Sequence, residues 1–248
     1  MIVDCHTHWG SVWTEQDGDD PRNWLAVLDR HSVDKAFLFG YENLHRLDHC
    51  REDNDRLARV VQHSGGRLIA FGSAWPQTGP ASLEEVRHCV QDLGFPALKF
   101  HPWIQGFSTA DETFGQICGL AGELGAPILL HDGTPCYTMP EQIAGLARRF
   151  PRTRFVLGHS GLLWSWRSAL EAARQPNVWL CLCGPHMRAI ELICHRADPN
   201  RLLWGSDFGF GFADSVRYRL AIIKQANIDP ALRDQILGIN PFRLLDLA

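Results

Sequence analysis

Evenly spaced apolar segments constrain the fold of this chain most strongly. Eight of them recur along the 248 residues, and successive segments begin 23 to 33 residues apart. Their centres, such as Phe37–Phe39 and Ile128–Leu130, lack the polar alternation of a half-exposed strand, which indicates strands buried on both faces of a parallel sheet. The predicted strands are Ile2–Cys5, Lys35–Gly40, Arg67–Ser73, Ala97–His101, Pro127–His131, Arg154–His159, Asn177–Cys183 and Arg201–Asp207.

Helical patterns fill the spaces between these strands. Apolar residues at intervals of three and four predict helices at Glu52–His63, Ser82–Leu93, Glu112–Leu124, Pro140–Phe150 and Leu163–Arg174. We expect Ser82 and Asp111 to cap two of them. Alternating strands and helices predict one (β/α)8 TIM barrel, a single α/β domain over residues 1–248. A doubly wound open sheet is the alternative, but no glycine-rich phosphate loop follows the first strand.

Composition narrows the partners and the compartment. The chain has 24 Lys and Arg against 28 Asp and Glu, a net charge of −4, which argues against a nucleic-acid or anionic-membrane partner. No signal-peptide pattern or membrane-length apolar run is visible. The eight cysteines form no C-x-x-C motif, so we expect mostly buried thiols in the reducing cytoplasm. A homo-oligomer is left open.

Polar residues, mostly histidines, cluster at the ends of the predicted strands. His6 and His8, two apart on the first strand, project from the same face. Other strands end in Lys99 and His101, in His131, in His159 and in Asp207. A barrel enzyme builds its site from such carboxyl ends. Two adjacent imidazoles, joined by another imidazole and a carboxylate, predict a divalent-metal site; zinc is favoured, with Mn2+ or Fe2+ as alternatives.

Two further features near these strands have two interpretations each. Asp4 either accepts a hydrogen bond from an imidazole and fixes its tautomer, or it hydrogen-bonds at the floor of the barrel. Cys181 and Cys183 lie two apart on the seventh strand and face the same way. A pair of small buried hydrophobic side chains is favoured there over an approach to the metal.

Ordered motifs give the chain a family resemblance. They are Val3-Asp4-Cys5-His6-Thr7-His8, Leu98-Lys99-Phe100-His101-Pro102, Leu130-His131-Asp132-Gly133, Leu157-Gly158-His159-Ser160-Gly161 and Leu203-Trp204-Gly205-Ser206-Asp207, with a final helix around Ile236–Leu245. With these motifs the chain resembles the amidohydrolase superfamily, in the amidohydrolase-related branch that also holds aromatic-acid decarboxylases. The resemblance implies one metal held by His6, His8, His131 and Asp207, with His159 close by.

The chemistry follows from these residue types. A bound divalent cation makes hydroxide available at neutral pH. Asp207 is expected to accept the water's proton and pass it on, while His159 orients the water or stabilises a carbonyl oxygen. Binuclear relatives carry a carboxylated Lys or a Glu on the fourth strand. Lys99 has the right type, but a second metal is not expected; substrate contact or a satisfied interior position is favoured for Lys99 and His101.

The loops suggest a small, partly aromatic substrate. The predicted mouth of the barrel is rich in tryptophan, with Trp103 as a substrate contact among Trp9, Trp13, Trp75, Trp164 and Trp166, and with Phe107, Tyr137, Phe208, Phe210 and Phe212 as further aromatic residues. Arg46 and either His186 or Arg188 are candidates to bind a substrate carboxylate. The acidic segment Glu15–Asp20 is either a solvated loop or a lid.

The leading expectation is a metal-dependent hydrolase of a small ester, lactone or amide. The alternative is a non-oxidative, metal-dependent decarboxylase of an aromatic or unsaturated acid, because ligand spacing does not separate the two. A TatD-like nuclease is disfavoured by the scarcity of lysine at the mouth. A metal-free ligand-binding barrel is disfavoured because all four ligand positions carry ligating residues.

Overall fold

Eight parallel strands form the centre of the molecule. The computed structural model describes residues 1–10, 19–209 and 214–247. The strands pair in sequence order, so each lies beside the next one along the chain, and this arrangement confirms the (β/α)8 barrel. Their bounds are β1 Val3–Trp9, β2 Lys35–Gly40, β3 Leu68–Gly72, β4 Ala97–Phe100, β5 Ile128–Leu130, β6 Phe155–Leu157, β7 Val178–Cys181 and β8 Leu202–Leu203.

Backbone hydrogen bonds between the segment after β8 and strand β1 close the barrel. The amide of Cys5 donates to the carbonyl of Trp204 at 2.9 Å, and the amide of Asp207 donates to that of His6 at 2.8 Å. The amide of His8 donates to the carbonyl of Phe208 at 2.7 Å. These bonds carry Asp207 to the two histidines of β1, although 199 residues separate it from His8 in the sequence.

Helices connect the strands and cover the outside of the barrel. Their bounds are α1 Pro21–His31, α2 Glu42–His45, α3 Cys50–Gln62, α4 Pro80–Arg87, α5 Pro102–Gln105, α6 Glu112–Glu123, α7 Pro140–Arg149, α8 Trp166–Ala172, α9 Met187–Arg196, α10 Ser215–Gln225, α11 Pro230–Asp234 and α12 Asn240–Leu244. Asp111 caps α6 as predicted, because its Oδ1 accepts the amide of Phe114 at 3.0 Å. The predicted cap at Ser82 is wrong: α4 begins at Pro80, and the Ser82 hydroxyl donates to the carbonyl of Gly79.

Strand ends differ from the predictions in a way that matters for the site. Strand β1 extends beyond its apolar segment Ile2–Cys5 to Trp9 and includes His6 and His8 as predicted, because its second half pairs with β2 and bonds to Phe208. Strands β3 to β8 all end earlier than predicted. His101 and His131 therefore directly follow their strands, and their side chains take directions set by loops rather than by the sheet.

Two groups of buried apolar side chains stabilise the barrel. Phe37, Phe71, Leu129 and Val156 belong to the smaller group. A larger group joins the remaining strand side chains to those of the helices. No helix in the described ranges is long and apolar enough to cross a membrane.

Candidate metal centre and active site

Three predicted ligands converge on one point at the carboxyl end of β1. Asp207 Oδ1 lies 3.4 Å from His6 Nε2 and 3.3 Å from His8 Nε2. His6 and His8 are buried, whereas the Asp207 side chain is 32% exposed. Two groups of potential metal ligands among the described residues have donor atoms that all lie within 4.8 Å of one another: one is His6, His159 and Cys183, and the other is His6, His8 and Asp207. The latter group therefore has both the chemistry and the compactness of a cation site.

The distances within this group fit a divalent metal ion. Ligand atoms about 2.1 Å from a tetrahedral zinc stand about 3.4 Å apart, close to the spacings between Asp207 and the two imidazoles. His6 Nδ1 lies 3.0 Å from the carbonyl of Gly158 and donates to it, which leaves Nε2 with its lone pair directed toward Asp207. Burial lowers the pKa of both His6 and His8, so each imidazole is held in the neutral form that binds metals.

Asp207 is ionised. Burial opposes its charge, but the neighbouring His159 holds the pKa of the Asp207 carboxyl well below its usual range. Its backbone has φ of 60°, a left-handed conformation uncommon for a residue with a side chain. The hydrogen bond to the His6 carbonyl holds this conformation in place. The chain therefore keeps a strained residue where it delivers an anionic ligand to the two imidazoles.

Lys99 is a buried cation beside this group. It lies on β4, it is 1% exposed, and its Nζ is 3.5 Å from His6 Nε2 and 5.1 Å from the centre of the Phe39 ring. Burial lowers its pKa to about 8, against the attraction of Asp207. The structure thus brings Lys99 to the site, and its role as a substrate contact stays a prediction.

His159 stands against His6 and is held at both its backbone and its ring. Its ring centre lies 4.6 Å from that of His6. Asp132 accepts the His159 amide at 2.6 Å through Oδ1 and the Gly161 amide at 2.6 Å through Oδ2. On the ring, Nδ1 lies 3.0 Å from Cys183 Sγ. One carboxylate and one thiol therefore fix the position of the predicted catalytic imidazole.

The other predicted ligand, His131, is oriented differently. Its Nε2 lies 2.8 Å from Thr134 Oγ1, and its ring stacks on that of His101 with centres 3.8 Å apart. It meets the His159 ring edge-on at 4.6 Å. His131 lies beside the site but does not belong to either compact group of potential ligands found among the described residues. Its role as the fourth ligand stays a prediction.

Residues predicted to contact the substrate fall into two sets. His101 is buried next to His131, and burial lowers its pKa; Trp103 is 54% exposed with its ring 6.2 Å from that of His101. The other set makes contacts elsewhere: Arg46 pairs with buried Asp53, Arg188 with Glu191, and His186 Nδ1 accepts the Ala189 amide at the start of α9. These partners already engage the groups that were expected to bind a carboxylate.

Asp4 lies at the floor of the barrel. Its Oδ1 accepts the amides of His6 at 3.2 Å and Ser206 at 2.9 Å, so it positions the backbone of the two segments that carry the predicted metal ligands. Trp13, Phe210, Phe212 and residues 15–18 of the predicted lid lie outside the described residues. Of the lid's described end, Asp19 pairs with Arg56 and Asp20 caps α1.

Sequence reasoning missed two residues that hold His159. Asp132 was visible within the Leu130–Gly133 motif, but nothing in its spacing indicates that it binds the backbone of the next strand's loop. Cys183 was considered only as a buried hydrophobic residue or a metal neighbour. A thiol placed against an imidazole has no signature in a single sequence.

Comparison with known proteins places the chain in a family. The family model described as "Amidohydrolase" matches residues 3–247, so the chain belongs to the amidohydrolase family and the resemblance is confirmed.

Two curated proteins are similar over part of their length. A 2-amino-3-carboxymuconate-6-semialdehyde decarboxylase of Dictyostelium discoideum is 26% identical over 193 residues, which cover 65% of this chain and 52% of that protein. Decarboxylase orsB of Emericella nidulans is 24% identical over 214 residues, with 65% of each chain covered. The chain therefore spans between about half and two thirds of the length of these relatives.

Solved structures match almost completely in fold. The 2,6-dihydroxybenzoate decarboxylase from Rhizobium superposes with a TM-score of 0.77 at 20% identity, over 99% of this chain and 98% of that one. A dihydroxybenzoic acid decarboxylase from Polaromonas, solved with manganese and the inhibitor 2-nitroresorcinol, gives 0.77 at 16% identity, over 99% and 97%. At these identities the likeness shows the fold.

The expectation of a hydrolase is wrong. The curated relatives and the structural neighbours described above are decarboxylases, which agrees with the alternative drawn from the sequence. The wider expectation, an enzyme of the amidohydrolase family, stands. The mistake arose because ligand residues and their spacing are common to both reactions, whereas the fate of the substrate depends on contacts outside the ligand set.

Proposed function

We propose that this protein is a metal-dependent, non-oxidative decarboxylase of a small carboxylic acid, either aromatic or unsaturated. The observation that carries the proposal is the buried Lys99 ammonium beside the His6, His8 and Asp207 group. The family membership and the decarboxylases among its relatives support the reaction class.

The donor atoms of the site limit which metal ions it can bind. His6, His8 and Asp207 hold one divalent ion, and His131 is the proposed fourth ligand. Nitrogen and carboxylate donors in a compact group favour zinc, with Mn2+ or Fe2+ as alternatives. When bound, such an ion acts as a Lewis acid that stabilises negative charge on a substrate oxygen.

Charge balance selects an anionic substrate. Lys99 contributes one positive charge and the metal two, while the carboxylates of Asp207 and of buried Asp132 contribute at most two negative charges. An excess of positive charge in a buried site favours an acid over a neutral ester or amide. Lys99 binds an anionic oxygen of the substrate there, and its charge is strongest where negative charge develops during the reaction.

His159 supplies the proton that the reaction requires. Loss of CO2 breaks a carbon–carbon bond whose electron pair stays on the substrate, so that carbon must gain a proton. His159 packs against His6 with ring centres 4.6 Å apart, and Asp132 holds its backbone in place. His159 therefore delivers the proton to that carbon.

The proposal is tested by the products. Metal-loaded protein is incubated with a panel of dihydroxybenzoates, other aromatic acids and unsaturated acids, alongside aryl esters and lactones, while CO2 and new carboxylic acid are both quantified. We expect CO2 from at least one acid and no ester or lactone cleavage above the rate in buffer. Ester cleavage without CO2 from any acid would contradict the proposal.

Asp207→Asn is the matching variant. The amide keeps the shape of the carboxylate but removes its charge, so we expect a folded protein whose metal affinity falls by more than about 100-fold, beyond what the loss of an outer partner costs. Circular dichroism checks the fold, and competition with a chelator measures affinity. Unchanged affinity would remove Asp207 from the ligand set.

A further inference from the structure

A buried thiol lies against the predicted catalytic imidazole. Cys183 follows β7 and is 1% exposed. Its Sγ lies 3.0 Å from His159 Nδ1, 2.9 Å from the Gly158 carbonyl and 3.7 Å from His6 Nδ1. The sulfur is thus within hydrogen-bond distance of one atom that only accepts and one whose role depends on the tautomer of His159.

Only one placement of the thiol proton and the imidazole proton gives the sulfur a hydrogen bond with both neighbours. A carbonyl oxygen accepts hydrogen bonds and never donates them, and a thiol has a single proton. An ordinary cysteine thiol has a pKa of about 8.5, so the proton stays on sulfur at neutral pH. When that proton points to the Gly158 carbonyl, the sulfur is left as an acceptor, and His159 Nδ1 must donate to it.

The opposite arrangement is unfavourable. If the thiol donated to His159 Nδ1, the sulfur and the Gly158 oxygen would face each other at 2.9 Å with no proton between them. Two electron-rich atoms in a buried site without an intervening proton repel each other. The first arrangement gives a hydrogen bond at every short contact of the sulfur.

We infer that Cys183 is a positioning residue that holds neutral His159 in the tautomer protonated at Nδ1, which leaves Nε2 to exchange the proton with the substrate. The catalytic meaning of this inference rests on the proposed decarboxylation. An imidazolium that releases its Nε2 proton returns directly to the tautomer that Cys183 favours. No rearrangement of hydrogen bonds is then required in the step that protonates the carbon.

The same carbonyl serves two imidazoles. Gly158 accepts from His6 Nδ1 at 3.0 Å and from the Cys183 thiol at 2.9 Å, within the two acceptor sites of a carbonyl oxygen. It thus fixes the metal-binding tautomer of His6 directly and that of His159 through the sulfur. A side chain at this position is excluded, since a Cβ on Gly158 would lie 2.7 Å from the Leu130 carbonyl and 3.0 Å from His6 Cε1.

Nuclear magnetic resonance of metal-loaded protein labelled with 15N-histidine tests the inference without an activity assay. Long-range nitrogen–proton spectra distinguish a protonated from an unprotonated ring nitrogen, and a His159→Asn sample assigns the signals. The variants are Cys183→Ala, which removes the acceptor, and Cys183→Ser, which keeps a donor and an acceptor. Cys118→Ala is the control, because it removes an equally buried thiol from α6 without an imidazole contact.

We expect wild type, Cys183→Ser and Cys118→Ala to show His159 protonated at Nδ1, and Cys183→Ala to show a mixture of tautomers or the Nε2 form. In wild type, a neutral His159 that is protonated at Nε2 and not at Nδ1 would overturn the inference, as would a tautomer that is unchanged by Cys183→Ala. If the Cys183→Ala variant fails to fold, the wild-type spectrum and the serine variant still decide between the tautomers.

Kinetics add a second criterion. With a substrate from the acid panel, we expect Cys183→Ala to lower kcat by about 10- to 100-fold at a nearly unchanged KM, and Cys183→Ser to recover most of it. Equal kcat in the wild type and the alanine variant would overturn the positioning role. If no acid is decarboxylated by the wild type, the proposed function fails, while the spectra still test the tautomer.

Discussion

Replacing Lys99 by methionine should make the protein more stable and less active. Methionine has a similar volume and no charge, so it fills the same space on β4. If Lys99 served only to fill space, its replacement would lower stability, or leave both stability and activity unchanged. The combination of a gain in stability and a loss of activity therefore identifies a charge retained for function.

The gain in stability follows from the pKa of Lys99. Burial lowers this pKa from 10.5 to about 8, a difference of about 2.5 pH units, or about 3 kcal/mol of native-state destabilisation. Below pH 8 the amine is charged in both the folded and the unfolded protein, so the full cost applies. The cost diminishes as the pH rises from about 8 to 10.5, because folded protein then loses its proton first.

Metal-free Lys99→Met should accordingly unfold about 6 to 12 °C above the wild type at pH 7, and the difference should shrink toward pH 10. Differential scanning calorimetry in the presence of a chelator measures it. Lys224→Met is the control: this lysine is exposed on α10, and we expect a change within about 0.5 kcal/mol.

The expected loss of activity follows from removing the contact between the Lys99 ammonium and the anionic substrate. A buried hydrogen bond to a charged group contributes about 1.5 to 3 kcal/mol, which corresponds to about a 10- to 150-fold lower kcat/KM for an anionic substrate. The assay follows CO2 released by metal-loaded Lys99→Met and wild type. A methionine variant that is less stable than wild type without metal, or that keeps full kcat/KM, would refute the reasoning.

Three other substitutions probe the site and the frame around it. In Gly205→Ala, the new Cβ would lie 2.6 Å from His6 Cβ and 2.9 Å from Cys181 Sγ. We therefore expect the free energy of unfolding to fall by about 1 to 3 kcal/mol and metal binding, measured by calorimetry, to weaken. Gly119→Ala is the control, because its new Cβ would have its nearest atom at 3.9 Å, and it should show neither effect. His131→Asn should weaken metal binding measured by chelator competition, and an affinity equal to that of wild type would exclude His131 as the fourth ligand. His88 pairs with Asp55 and Asp92, and although burial opposes its charge, these partners raise its pKa. His88→Gln should therefore lower the unfolding temperature below pH 6.5, by an amount that corresponds to less than about 1 kcal/mol for each ion pair. This difference from wild type should disappear as the pH rises through the pKa of His88 in the folded protein. An equal difference at pH 6 and pH 9 would contradict the prediction.

The barrel and the convergence of His6, His8 and Asp207 were predictable from the sequence for specific reasons. Doubly buried strands make uninterrupted apolar runs, so the eight segments stand out without any knowledge of pairing. The strand period of two places His6 and His8 on one face wherever the strand ends. Asp207 was predictable from its place after the last strand, because a closed barrel brings that strand beside the first.

The direction of side chains that follow a strand was not accessible. His131 leaves β5 after Leu130, and the local turn aims its Nε2 at Thr134 Oγ1. Arg46 was predicted to bind a substrate carboxylate, but in the structure it donates to Asp53, which lies seven residues later in the chain. Cys183 and His159 are 24 residues apart, and their contact depends on the packing of β6 against β7. Such contacts are set by loop geometry, which one sequence does not encode in any periodic form.

Deuterium incorporation tests the central claim most directly. Metal-loaded protein converts an acid of the panel in D2O, and mass spectrometry with NMR counts deuterium at the carbon that carried the carboxyl group. The account predicts one deuterium per CO2 released, delivered at that carbon, with both products lost after chelation and restored by added zinc or manganese. CO2 released at an undiminished rate by the chelated protein, or products in which an ester or amide bond has been cleaved and the carboxyl group retained, would contradict it.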